Sequence, residues 1–460
     1  MKKSLKYISA AVVAVMLGAC QDFVEDLDVD PNSPASADAT NTIQGVMLAD
    51  IVFHEGDVSR TTGMWAGQFT GSDRQYLSTD IYSVTAGTFD DLWATAYVGT
   101  ITQARLTEAT AEAGFNLKLK GVAQILEAHA AGTTTSLWGD IPFREAGQRA
   151  TFPSPKYDPQ AQVYADVQAL LDDAIKNLAA GGVIPATQDI FYAGNATKWT
   201  ALAYSLKARY YLHTKEYAAA KAAAARGISS AANDFVAPHA NLSGAQNLYY
   251  QFLGNRNGYL TGDNAYAPKL LDPAQKSLIA NNRNNAKTDE GARFSYFYEP
   301  ASTPAAADYE LRQGLTATAK EFSDPDASFP LVTYSETQLI IAETSARTGT
   351  PVDALAALNR HRAALAVAYP TGKYEPLLLS DIAGGDLLKE ILTERYVTLI
   401  GQAEAFTDAR RTNNIVGIPI KGTGNTTLPQ RFLYPQSEVN ANANVPNPIP
   451  GLFVKTPVNN

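Results

Sequence analysis

The sequence predicts a mostly α-helical fold in which helix pairs support irregular loops. Three observations lead to this prediction. Apolar residues recur at spacings of three and four through most of the chain after about residue 42. Residues 195–228 and 334–365 each read as a helix, a short break and a second helix. Residues 235–330, between these segments, show little periodicity and are rich in Asn, Gly, Tyr and Pro, which predicts an irregular region with a function.

Further helices are predicted on both sides of this irregular region. They cover residues 88–113, 119–138, 158–180 and 386–412, the last as one long helix. Thr88 is the predicted N-cap of the first, because Asp90 and Asp91 follow it in the first turn. Trp138 and Trp199 lie within helical patterns and are predicted to be structural.

The two helix pairs resemble tetratricopeptide units. The first has the ~34-residue length of such a unit and a Tyr-Ala-x-Ala element, beginning at Tyr217, in its second helix. In the second pair, Pro351 suits the first turn of a helix. We expect several such pairs scattered through the chain, and helix pairs of this kind usually bind other proteins.

The N-terminus has the pattern of an export signal that ends in a cysteine. A basic start precedes an apolar stretch, Ile8 to Leu17, that is shorter than the ~20 residues needed to span a bilayer. Small residues then lead to Cys20, the only cysteine of the chain. The run Leu17–Cys20 resembles a bacterial lipobox, which predicts cleavage before Cys20 and acylation of its thiol. The alternative is a chance cysteine in a plain signal peptide.

These patterns divide the chain into three parts. Residues 1–19 are the predicted signal peptide, residues 20–40 an acidic flexible tether, and residues 41–460 a single helical domain with an irregular insertion at about 235–330. The formal charge of −9 becomes −12 once the three lysines of the signal are removed. An acidic chain argues against binding to nucleic acid or to anionic lipids, both of which need a basic surface.

Four features of the sequence occur together. A lipobox precedes an acidic tether, "SLWGDIPFREA" covers Ser136–Ala146, "ILTERYVTLIGQAEAFTDARRT" covers Ile391–Thr412, and "LPQRFLYPQSEVNANANV" covers Leu428–Val445. Together they resemble the SusD/RagB family of nutrient-binding outer-membrane lipoproteins. The resemblance implies a SusD-like protein, displayed on the cell surface, that lies over a SusC-like TonB-dependent barrel transporter and captures oligosaccharides or, in some members, peptides. It also implies that the helix pairs contact the transporter and that the irregular insertions hold the ligand.

Sugar binding needs aromatic rings for the apolar C–H face and planar polar groups for the hydroxyl edge. Three stretches supply aromatic residues, two of them together with planar polar groups: residues 64–82, the pair Trp93 and Tyr97, and residues 249–298. A position in the core is the alternative for Trp65, Tyr76 and Trp93. The candidate ligand contacts are Trp65, Gln68, Asp73, Arg74, Tyr76, Tyr82, Trp93, Tyr249, Tyr250, Tyr296 and Tyr298.

The sequence contains no nucleophile elbow, Walker loop or dinucleotide fingerprint, and its five histidines show no metal-ligand spacing. We therefore expect a binding protein with no catalytic residue, cofactor or metal. Two alternatives stay open. The same fold could bind peptides, or the chain could be a lipid-anchored glycoside hydrolase, because the two carboxylates of such an enzyme pair in space and not in sequence.

The charged run "TDARR" is predicted to be structural. Asp408, Arg410 and Arg411 lie where a helix ends, so an ion-pair cluster with arginines at the negative pole of the helix is expected there. The same interpretation applies to Glu394, Arg395 and Glu404.

Overall fold

The computed structural model describes residues 38–301, 307–312 and 321–460. The predicted signal peptide, Cys20 and most of the predicted tether lie outside these residues. The α-helices are α1 (Ala39–Glu55), α2 (Asp57–Trp65), α3 (Arg74–Asp80), α4 (Asp90–Ala94), α5 (Thr102–Ala113), α6 (Leu117–Trp138), α7 (Gln160–Ala179), α8 (Ala196–His213), α9 (Tyr217–Ala224), α10 (Leu248–Asn255), α11 (Tyr266–Leu271), α12 (Gly291–Phe297), α13 (Tyr334–Arg347), α14 (Pro351–Ala368), α15 (Leu387–Thr398), α16 (Ala403–Arg411) and α17 (Gln436–Ala441).

The strands are short and pair two by two. They are β1 (Thr70–Gly71), β2 (Phe235–Ala237), β3 (Leu260–Thr261), β4 (Thr288–Asp289), β5 (Tyr298–Pro300), β6 (Tyr309–Leu311), β7 (Phe329–Val332) and β8 (Lys373–Tyr374). The antiparallel pairs are β1–β3, β2–β7, β4–β8 and β5–β6. The predicted mostly α-helical fold is therefore confirmed. Over the described part of the chain, no helix has the length and apolar content that crossing a membrane requires.

The core is built from helices that pack on their neighbours in the chain. α5 to α9 form a continuous series of such contacts, and α13 packs on α14 and α15. The two predicted helix pairs are α8–α9 and α13–α14, and they lie side by side because α9 also packs against α13. Close approach needs small residues: a Cβ on Gly132 of α6 would lie 2.2 Å from the ring of Tyr210 on α8. Trp138 and Trp199 are fully buried, as predicted.

Two local predictions are corrected by the structure. The segment 386–412 forms two helices, α15 and α16, because Gly401 between them has a φ of +81° that ends helical geometry. A Cβ at Gly401 would also lie 2.7 Å from the ring of Phe322. Thr88 is not an N-cap: Thr85 caps the start of a 3₁₀ turn, and Thr88 closes its capping box. A π-helical segment, Thr95–Ile101, then joins α4 to α5.

The predicted ion-pair cluster at the end of α16 is buried and extends to α13. The carboxylate of Glu343 accepts two bonds of 2.6 Å from Arg411, and Asp408 lies 2.8 Å from Arg395 and 2.7 Å from Arg411. Glu404 contacts His213 at 2.8 Å. Arg410 differs from the prediction, because its guanidinium donates to the carbonyl oxygens of Ser136 and Gln430 and not to a carboxylate.

The substitution Glu343→Ala tests this cluster. It leaves the guanidinium of Arg411 buried with only Asp408 as a carboxylate partner, and we expect the free energy of unfolding to fall by about 3–5 kcal/mol. Glu375→Ala is the matched control, because Glu375 pairs with Lys373 at 3.0 Å while both side chains are about half exposed. That variant is expected to lose less than about 1 kcal/mol. Urea unfolding measures both, and equal losses would contradict the account.

Candidate ligand-binding site

The structure buries seven of the predicted ligand contacts. Each of these side chains is 7% exposed or less. None therefore offers a free ring face or amide to a ligand. The prediction that they contact a ligand is corrected, because these residues belong to the core. The seven are Trp65, Gln68, Tyr76, Tyr82, Trp93, Tyr249 and Tyr298.

The polar atoms of these buried residues are bonded inside the fold. The indole N–H of Trp65 donates to the carbonyl oxygen of Thr79 at 2.8 Å. The amide of Gln68 donates to two carbonyl oxygens at the end of α15 and accepts from the backbone N–H of Gly401 at 3.0 Å. The hydroxyl of Tyr298 in turn donates to the carbonyl oxygen of Gln68 at 2.9 Å. These residues therefore connect the first predicted stretch to the C-terminal helices.

Four predicted contacts remain accessible. Arg74 is exposed, whereas Asp73, Tyr250 and Tyr296 are half-buried. Asp73 also caps α3, since its carboxylate accepts the backbone N–H of Arg74 at 2.9 Å. These four residues do not form one cluster: Asp73 and Arg74 lie at the start of α3, while Tyr296 lies on α12.

Two of the three predicted stretches lie side by side, because the β1–β3 pair places residues 70–71 beside residues 260–261. A cleft of about 480 Å³ lies between α1, α2, α4 and α10. We call it the α1–α10 cleft. Its polar and aromatic lining consists of Phe53, Asp57, Arg60, Asp91, Thr95, Gln251, Phe252, Asn255 and Arg256.

One wall of the α1–α10 cleft is a layered aromatic and arginine stack. The ring of Phe252 stacks on that of Tyr76 with centroids 5.2 Å apart, and the guanidinium carbon of Arg60 lies 4.3 Å from the Phe252 centroid. Tyr76 donates its hydroxyl to Asp57 at 2.6 Å and accepts from Arg60 Nε at 2.8 Å. Burial, reinforced by the negative charge of Asp57, raises the pKa of Tyr76, so the hydroxyl stays protonated. The wall is therefore a fixed surface with bonded polar atoms.

The opposite side of the cleft is polar and open to solvent. Asp91, Asn255 and Arg256 are exposed, and Gln251 is half-buried. Two acidic and two basic side chains line the cleft, so its formal charge is balanced. An apolar wall facing planar hydrogen-bonding groups suits a ligand with both C–H faces and hydroxyl or amide edges.

The structure also brings together three residues that could ligate a metal: Asp50, His54 and His129. Sequence spacing could not indicate this group, because α1 supplies two of them and α6 the third. The two imidazole rings are stacked 3.6 Å apart and almost parallel. All four nitrogens have partners at 2.9–3.4 Å, namely the backbone oxygen and carboxylate of Asp50, Thr133 and Arg209. The group fits a hydrogen-bonded core cluster and not a cation site.

Comparison with known proteins gave one family and several structures. Residues 31–435 match the family model SusD-like_2, described as starch-binding associating with outer membrane. A SusD/RagB family protein from Bacteroides thetaiotaomicron is 20% identical over 89% of this chain and 95% of its own, with a TM-score of 0.67. A chitin-binding protein is 21% identical over 88% and 94%, with a TM-score of 0.66. A SusD homolog from Parabacteroides distasonis is 17% identical over 88% and 93%, with a TM-score of 0.70. A search of curated proteins found no match.

The buried group of Asp50, His54 and His129 makes the free energy of unfolding depend on pH. Burial lowers the pKa of His129 from 6.5 to about 4. As the pH falls below 6.5 the unfolded chain takes up a proton that the folded chain does not, so the free energy of unfolding decreases down to about pH 4. This group contributes at most about 1.4 kcal/mol per pH unit. Urea unfolding between pH 7.5 and 4.5 should show a smaller slope for His129→Gln than for the native protein, and an unchanged slope would contradict this account.

Proposed function

Because the chain belongs to the SusD-like family, we propose that it captures an oligosaccharide at the cell surface and delivers it to a SusC-like TonB-dependent barrel in the outer membrane. The protein acts by binding and carries out no turnover. The α1–α10 cleft is the proposed capture site.

The proposal rests on the residues that surround the α1–α10 cleft. Phe252, from the third predicted stretch, lines the cleft together with the hydrogen-bonding side chains of Gln251, Asn255 and Asp91. Tyr76, from the first stretch, stacks on Phe252, and Thr95, which lies between the two aromatic residues of the second stretch, also lines the cleft. The name of the family model and that of the chitin-binding relative lend support to a carbohydrate ligand.

The charge balance of the cleft favours a neutral oligosaccharide. Arg60 is already engaged by Tyr76 and lies 3.5 Å from Asp57, so the exposed Arg256 is the cation of the lining that an acidic sugar would have to use. Each aromatic contact contributes about 0.5–1.5 kcal/mol, and each hydrogen bond a similar amount. Affinity per sugar unit is therefore modest, which suits a protein that must release its cargo to a transporter.

The anchor is proposed from the N-terminal sequence, and the contact surface for the partner is proposed from the helix pairs. Acylation of Cys20 attaches the protein to the membrane, and stable attachment needs more than one acyl chain. The 17 residues from 21 to 37 reach about 60 Å when extended, enough to let the domain move over a barrel. The helix pairs α8–α9 and α13–α14 are the proposed contact surface for that barrel.

Peptide binding is the second candidate, because both apolar and charged side chains line the cleft. The third, a glycoside hydrolase, would use the two cleft carboxylates, Asp57 and Asp91, as acid and base. The three functions separate in one assay, in which the purified protein is incubated with neutral oligosaccharides and with peptides. Bound glycan without product supports the proposal, bound peptide alone supports the second candidate, and released sugar supports the third.

The substitutions Asp91→Ala and Asn255→Ala test the capture site. Each removes one hydrogen-bonding group from the open side of the cleft, and we expect the affinity for a bound oligosaccharide to fall about two- to tenfold per substitution. Asn241→Ala is the control, because Asn241 is exposed and lies outside the cleft. Isothermal titration with starch and chitin oligosaccharides measures the change. The proposed location fails if the control weakens binding as much as the cleft variants do.

Mass spectrometry of the protein extracted from membranes tests the anchor. We expect the mature chain to begin at Cys20 and to carry a mass increment of several acyl chains. The variant Cys20→Ala should leave the membrane fraction while its fold, measured by circular dichroism, stays the same. An unmodified Cys20 would refute the anchor without affecting the proposed ligand.

A further inference from the structure

A second cleft lies on another part of the molecule. It has a volume of about 770 Å³ and is bordered by α12 and the C-terminal end of α14. A smaller hollow of about 210 Å³ adjoins it, and both are lined by Tyr296, Ala368 and Tyr369. We call the two together the tyrosine cleft. It shares no lining residue with the α1–α10 cleft.

Two tyrosines form the boundary between the outer cleft and the hollow. The rings of Tyr296 and Tyr369 meet edge to face, with centroids 5.8 Å apart and planes at 67°. Among the described residues, neither hydroxyl has a hydrogen-bond partner, and both side chains are half-buried and line the cleft. Burial raises the pKa of Tyr296 to about 12, so its hydroxyl is a donor at neutral pH.

An unpartnered amide is the independent sign of a ligand. Gln402 lines the hollow and is only 5% exposed. Its side-chain oxygen is buried and has no hydrogen-bond partner within the described part of the chain. Leaving a buried carbonyl oxygen unbonded is unfavourable, and a site of this kind usually holds a polar molecule.

The charges around the hollow define the class of ligand. Among the described residues that line the cleft, Arg293 is the only Lys or Arg, and its guanidinium is already bonded to Glu290 and Glu394 at 2.6–2.9 Å. Within this described lining, an anionic ligand therefore finds no free cation. Three carboxyl groups also line the two parts of the cleft, those of Asp234, Asp289 and Glu321. Asp234 accepts the backbone N–H of Tyr334 at 2.7 Å, and Glu321 pairs with Arg312 at 2.7 Å. Aromatic rings, an amide and carboxyl groups that accept hydroxyl protons suit a neutral polyhydroxylated ring.

We propose that the tyrosine cleft is a second binding site for a neutral oligosaccharide, with one sugar unit in the hollow beside Gln402 and the next against Tyr296 and Tyr369. The inference rests on the proposed function, since it assumes a carbohydrate cargo. A long glycan that reaches both sites binds more tightly than it would to either site alone, because the second site is engaged within the same complex.

The test combines variants of both clefts. The triple variant Tyr296→Phe, Tyr369→Phe, Gln402→Leu removes three polar groups that have no partner in the described fold, so the thermal midpoint should be retained. Tyr204→Phe is the matched control, a half-buried tyrosine outside both clefts whose hydroxyl is likewise unbonded within the described residues. Short neutral oligosaccharides of the starch and chitin type, titrated calorimetrically, are the probes.

The native protein should bind two short oligosaccharides per chain. The triple variant should lose one of them or bind it at least about tenfold more weakly, while the variant Asp91→Ala, Asn255→Ala weakens the other. A triple variant that binds like the control overturns the inference and leaves the proposed function standing, with ordered water as the partner of Gln402. Absence of any glycan binding to the native protein overturns both. If the triple variant binds no oligosaccharide while the variant Asp91→Ala, Asn255→Ala binds normally, the tyrosine cleft is the binding site and the proposed role of the α1–α10 cleft is wrong.

Discussion

The arrangement of the irregular region depends on one buried carboxylate, that of Glu394 on α15. It accepts hydrogen bonds from Arg283 and from Arg293, the latter at 2.8 Å, and it lies 3.0 Å from the Nε2 of His361 on α14. Burial alone would raise the pKa of Glu394, but the two arginines hold it well below its usual range. Because a buried charge without its partners is strongly unfavourable, this cluster fixes the loop before α12, and α12 itself, on the helical scaffold.

The ion-pair cluster around Glu394 also positions two residues of the tyrosine cleft. Arg293 lies one helical turn before Tyr296 on α12, and His361 of α14 lies two turns before Tyr369, which directly follows that helix. The charged cluster thereby sets the positions of the two tyrosines. At the α1–α10 cleft, the bonds of Tyr76 with Asp57 and Arg60 hold the wall in the same way. Both clefts are irregular surfaces held by a rigid frame, the common arrangement for recognition.

Much of the frame could be predicted from the sequence, because helical periodicity and the helix start at Pro351 are local signals. The break at Gly401 could not, since the apolar pattern runs on through it and only the ring of Phe322, distant in the chain, shows why a glycine is required there. The aromatic candidates were the least predictable. Trp65 and Tyr249 have the composition of a sugar platform, yet their burial depends on contacts with Phe406 and Phe329 that no local pattern contains.

The central claim is that an oligosaccharide occupies the α1–α10 cleft. A crystal structure of the protein grown with a neutral oligosaccharide that it binds in solution tests this claim most directly. The account predicts sugar density between Phe252 and the side chains of Asp91 and Asn255, with the core aromatic residues unmoved. Sugar density confined to some other surface, with only solvent in this cleft, would contradict it.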